Sequence, residues 1–133
     1  MDIENAKAQM RKGVLELCVL AVIAARETYP PEIMEKLSGA NLVVKEGTLY
    51  PILVRLKNEG LVDYIWREGV KGPPRKYFTI TEQGRNFYAE LLNGWTELVN
   101  AVQETLDKLP QPDENPSETP RPLKIEPPPD LEA

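Results

Sequence analysis

The chain has 133 residues, 41% hydrophobic and 28% charged, with 21 acidic against 16 basic side chains, no histidine and a single cysteine. That composition excludes a disulfide framework, a zinc finger and a Cys/His catalytic pair within one chain, and calls for no cofactor or metal. The charge is uneven: residues 110–133 hold six acidic and two basic side chains, whereas 45–85 hold eight basic and five acidic, so a net charge of −5 conceals a basic segment suited to phosphate.

In chain order, Met1 to Asn5 is polar, and from Ala6 the pattern is helical, passing through Gly13 into an apolar run, Leu17 to Ala25. This predicts a helix that is hydrophobic on most sides. One side packs in its own domain and the other, including Leu17, meets a partner subunit. The run is short of the roughly 20 residues a membrane span needs. Arg11 and Lys12 ahead of it resemble the start of a signal peptide, but Asp2, Glu4 and Glu16 are out of place in one. Cys18 within the run reads as a core thiol, and nothing indicates an oxidising compartment, so a cytoplasmic protein without membrane attachment is expected.

Arg26 to Pro31 breaks the helix, and Pro31 suits the start of the next, Glu32 to Leu37, with Ile33, Met34 and Leu37 at helical spacing. Ser38 to Val44 reads as turn and short extended chain. The central stretch is Lys45 to Leu61. Leu49, Ile52, Leu53 and Leu56 make an apolar helical stripe, while Gly47, Pro51, Val54 and Asn58 fall opposite it, flanked by Thr48 and Arg55 on one side and Tyr50 and Lys57 on the other. An ordinary solvated face would carry long charged side chains. This one presents little bulk, so something is expected to lie against it. Thr48 as N-cap would put Pro51 at the third helical position, and Gly60 supplies the stop.

Two β-rich segments, Leu61 to Arg67 and Lys76 to Ile80, flank a Gly-, Pro- and Lys/Arg-containing loop, Glu68 to Arg75. Alternation places Tyr64 and Trp66 on one face, and Phe78 and Ile80 opposite Tyr77 and Thr79. Thr81 is the predicted N-cap of a long helix, Glu82 to Leu109. Its three-four seam runs through Tyr88, Leu91, Trp95, Leu98, Val102 and Leu109, with Leu92, Val99 and Leu106 alongside, and such a seam needs a partner. Pro110 ends that helix, and the Pro-rich acidic segment to Ala133 is expected to be disordered, with Leu123 and Ile125 as its candidate docking residues. No phosphate loop, nucleophile and base pair or apolar carboxylate cluster points to catalysis.

Helix, stop, strand, basic loop and strand is the order of a winged helix-turn-helix. EGTLYPILVRLKNEGLV followed by GPPRKYFTITEQGR resembles the PadR family of bacterial transcriptional regulators, and the likeness covers about residues 6 to 108. The resemblance implies a mainly α fold with a small β-hairpin. Residues 1–80 form the winged helix-turn-helix, 81–109 the C-terminal dimerisation helix and 110–133 the tail. Where many such proteins read Tyr-Gly-Tyr-Glu-Ile, this chain has Tyr29-Pro30-Pro31-Glu32-Ile33, whose prolines remove N–H groups that would bond phosphate. The implied function is sequence-specific binding of double-stranded DNA by a homodimeric repressor. Lys45, Thr48, Tyr50, Val54, Arg55 and Lys57 contact DNA from the recognition helix, and Lys71, Arg75 and Lys76 from the wing. Dimerisation falls to Leu17, Tyr88, Leu91, Trp95, Leu98, Val99 and Val102. Trp95, beside Gly94, is the candidate site for a planar aromatic effector. The competing reading is a winged-helix module that binds protein and not DNA.

Overall fold

In the computed structural model, which describes residues 1–110, the elements are α1 (Ile3–Lys12), α2 (Leu15–Ala25), α3 (Pro30–Gly39), α4 (Glu46–Asn58), β1 (Val62–Arg67), β2 (Arg75–Ile80) and α5 (Glu82–Lys108). The Pro-rich tail with Leu123 and Ile125 lies outside the described residues. Mainly helical structure with one antiparallel hairpin is what the sequence predicts.

One expectation fails at the N-terminus. The single helix predicted from Ala6 is two helices, beginning at Ile3 and broken at Gly13 and Val14. Asp2 caps α1 by accepting the Glu4 N–H at 3.2 Å, which moves the start forward. Gly13 and the β-branched Val14 are poor helix residues, and Val14 N–H bonds Arg11 O at 3.0 Å in a tighter turn. α1 has no buried residue, whereas α2 buries Leu17, Val19, Leu20 and Ile23. Leu17, predicted at the subunit contact, therefore sits in the core of its own chain. Cys18 is half-buried, and burial pushes its thiol up, which keeps it neutral.

α3 starts at Pro30, with both prolines in its first turn, where missing N–H groups cost nothing. It ends at Gly39, and just beyond, Asn41 at φ 66° lets Leu42 N–H reach back to Leu37 O at 2.8 Å. The same closure recurs after α4. Gly60, at φ 76°, allows Leu61 N–H to bond Leu56 O and Gly60 N–H to bond Lys57 O, each at 3.0 Å. Thr28, in the segment read as a plain helix break, exchanges backbone hydrogen bonds with Phe78 at 3.1 and 2.7 Å and so adds a third, one-residue rung to the hairpin.

The core joins α2, α3, α4 and the hairpin through Leu20, Ile23, Ile33, Leu49, Leu53, Leu56, Val62 and Phe78. Each side chain of this size contributes about 1.5–3 kcal/mol when fully buried. The hairpin pairs Val62 with Ile80, Tyr64 with Phe78 and Trp66 with Lys76. Thr81 caps α5 as predicted: its Oγ1 accepts the Gly84 N–H at 2.9 Å. Gly84 is buried so tightly that a Cβ there would lie 1.9 Å from Leu61 O. The chain divides into two compact units, residues 1–89 and a second from Glu90 onward, the division falling inside α5.

Candidate nucleic-acid interface

The stripe of α4 is divided as the spacing requires. Leu49, Ile52, Leu53 and Leu56 are buried, and Gly47, Thr48, Tyr50, Pro51, Val54, Arg55, Lys57 and Asn58 are exposed. The lean face is thus open to solvent along its whole length, with Val54 58% exposed. Thr48 is not the N-cap. Lys45 occupies that position, and its carbonyl accepts Thr48 N–H at 3.0 Å and Leu49 N–H at 2.9 Å. The cause lies just upstream: Val44 and Leu49, at the positions a hydrophobic staple pairs, are both buried and set the entry of the chain three residues early. Pro51 therefore stands sixth in the helix and forfeits the bond that its N–H would have made to Gly47 O.

The cations around this face are mostly held. Arg55 is drawn back to α2, its Nε 3.1 Å from Glu16 Oε2, in an ion pair that leaves both side chains partly exposed. Lys57 Nζ lies 3.7 Å from Asp63. Lys76 Nζ sits 4.3 Å from the Tyr64 ring centre and 5.5 Å from that of Trp66. Arg75 goes to the other side of the hairpin, with its guanidinium 4.8 Å over Tyr29 and Nη1 donating to the Tyr29 hydroxyl at 3.3 Å. On that same far side Arg67 Nη2 donates to Glu27 at 2.9 Å, and this bond pushes the guanidinium pKa up. Lys45 and Lys71 are exposed and unpaired among the described residues. Between α4 and the hairpin runs a groove of about 190 Å³, lined by Tyr50, Val54, Lys57, Tyr64, Lys76 and Phe78. Helix, open face, groove and hairpin make a winged helix.

The model of the transcriptional regulator PadR-like family matches residues 19–90. The chain belongs to that family. A PadR-like transcription factor from Bacteroides fragilis is 46% identical, covering 76% of this chain and 98% of its own, with a TM-score of 0.65. A PadR-like transcriptional regulator from Bacillus cereus is 34% identical over 76% of this chain and 99% of its own, TM-score 0.67. A PadR family transcriptional regulator from Eggerthella lenta is 26% identical over 80% and 94%, with a TM-score of 0.75. The protein is accordingly a PadR-like, DNA-binding transcriptional regulator of the winged-helix class and not an enzyme.

Within this PadR-like chain, the structure gathers Tyr50, Val54, Lys57 and Lys76 around one groove and separates Arg75 from them, because neighbouring strand residues face opposite sides. Sequence reasoning missed three participants. Tyr64 and Trp66 brace Lys76, a role that the Trp66 and Lys76 pairing would have revealed once register was known. Glu16 restrains Arg55 from 39 residues away, and no local pattern signals it. On α5, Tyr88, Leu91, Trp95 and Val99 are half-buried, while Leu98, Val102 and Leu106, with Leu109 just past its end, are exposed. Space beside Gly94 is open. Among the described residues no helix is long and apolar enough to cross a membrane, and no cluster of metal-ligating side chains occurs.

Proposed function

We propose that this PadR-like regulator binds specific duplex DNA in the cytoplasm as a homodimeric repressor. The observation that carries the reading is the bare face of α4: a helix surface of Gly, Thr, Pro, Val and Asn, exposed and flanked by cations. Such a surface enters a major groove without bulk. Thr48 and Tyr50 offer hydroxyls to base edges or phosphates, Val54 fits a thymine methyl, and Lys45, Arg55, Lys57 and the wing residues Lys71, Arg75 and Lys76 reach phosphates. Arg55 exchanges its carboxylate partner for a phosphate in doing so.

Dimerisation is supported by the aliphatic ridge of Leu98, Val102 and Leu106 on α5, continued by Leu109 just past its end, whose three-four spacing matches a helix pairing seam. Trp95, half-buried beside the open Gly94, is the place for a planar aromatic effector. To relieve repression, that effector must bind the DNA-competent and incompetent dimers with different affinity.

Fluorescence anisotropy with the duplex upstream of the protein's own gene and with a shuffled duplex tests the reading. Binding at least a hundredfold tighter to one natural segment is expected, a modest demand beside the roughly 10³–10⁷ typical of specific sites. Absence of binding to every duplex at low salt would instead favour a winged-helix module that docks protein. Quenching of Trp95 by aromatic dyes, abolished in Trp95→Leu, tests the effector site.

A further inference from the structure

A second basic surface lies beside α4. A groove of about 350 Å³ runs between α1 and the start of α4, and Arg11 and Lys12 from α1 and Lys45 from the α4 N-cap all line it. Its floor is apolar, with Leu15 and Val44, and its other polar groups are the neutral side chains of Asn5, Gln9 and Thr48. No carboxylate lines it.

Lys71 apart, the other basic groups at the interface are held. Arg55, Lys57 and Arg67 are each held by a carboxylate, and Arg75 and Lys76 lie over aromatic rings. Arg11, Lys12 and Lys45 are exposed and have no ion-pair partner among the described residues. The dipole of α1 accounts for cations in its last turn, at about 0.3–1 kcal/mol each. It does not account for Lys45, which comes from another element and adds like charge to the same groove. Three positive charges around one space repel unless an anion enters it.

We propose that this groove seats the sugar–phosphate backbone of the duplex next to the segment that α4 reads, so that the C-terminal turn of α1 is a phosphate clamp. The inference rests on the DNA-binding reading above and extends it to Arg11 and Lys12. Shape selects the polymer over a lone ion. From Asn5 to Lys12 the lining follows α1 for about 10 Å, at 1.5 Å per residue, which suits a stretch of nucleic-acid backbone. Location agrees, because Thr48 belongs both to this groove and to the open face of α4.

The test is the salt dependence of binding to a fluorescein-labelled duplex of mixed sequence. Arg11→Gln with Lys12→Gln is compared with Lys7→Gln with Lys36→Gln, which removes equal charge from exposed, unpaired residues outside the groove. The slope of log affinity against log salt is expected to fall by about 0.9 for each phosphate that the groove variant no longer neutralises, with roughly tenfold weaker binding at low salt. The control should keep the parental slope. A groove variant whose slope falls no further than the control's would overturn the clamp while leaving DNA binding intact. Wild-type protein that binds no duplex would remove both readings together. The charge-conserving Arg11→Lys with Lys12→Arg should retain the slope, and a fall as large as that of the glutamines would assign the effect to packing and defeat the proposal.

Discussion

α4 and α5 are both amphipathic helices that leave one face uncovered, yet the two faces have little in common. That of α4 is lean and polar, with Gly47, Thr48, Pro51 and Asn58 around one valine, whereas that of α5 presents Leu98, Val102 and Leu106. The difference teaches what each face can meet. An aliphatic ridge gains only by leaving water, so its natural partner is another ridge. A lean face with hydroxyls gains little from desolvation and suits a wet, grooved polyanion whose affinity comes from flanking charge.

The largest effect should come from the point that anchors both helices. Leu61 O, at the end of α4, accepts Thr81 N–H at 3.1 Å and lies against Gly84 in the first turn of α5. Gly84→Ala would force a methyl group into that carbonyl and to 2.8 Å from Ile80 Cγ1. A loss of about 3 kcal/mol or more in urea denaturation is expected. Gly94→Ala, where space is open, should gain about 0.5–1 kcal/mol from reduced chain entropy. Equal effects at the two glycines would refute the shared anchor.

Next comes the ridge. Leu98→Asp with Val102→Asp places two charges on side chains that are 56% and 50% exposed in the single chain. Sedimentation should then show monomers, with DNA affinity down about a hundredfold, because each half-site binds alone. A dimer that survives would move the seam elsewhere.

Val54→Glu probes the lean face directly. Stability should stay within about 0.5 kcal/mol, since the side chain is largely exposed, while duplex binding weakens at least tenfold through repulsion by phosphate. Unaltered binding would mean that α4 does not enter the groove.

The smallest effect is expected at Glu16. Glu16→Gln releases Arg55 from an exposed ion pair, so folding should change by less than about 1 kcal/mol while DNA affinity rises a few-fold and its salt slope steepens. Weaker binding would show that Glu16 positions Arg55 for its contact.

Much of the architecture was legible because it follows local periodicity. The buried stripe of α4, the Gly60 stop, both strands and the Thr81 cap emerge from spacing and turn chemistry within a few residues. The start of α4 was not, because Val44 and Leu49 are buried by the rest of the core, and their burial outweighs the capping preference of Thr48. The different settings of Arg75 and Lys76 were not legible either: adjacent in sequence, they are carried to opposite faces by the strand, one over Tyr29 and the other over Tyr64.

By itself the sequence determined which surfaces are apolar, where α4 and α5 stop and that one helix keeps a bare, uncharged side, since these depend on neighbours along the chain. Only the tertiary structure decided which cations are free. Glu16 reaches Arg55, Glu27 reaches Arg67 and Tyr29 reaches Arg75 across 39 to 46 positions, while Arg11, Lys12 and Lys45 converge unpaired. Charge acts through space, and space is set by the fold.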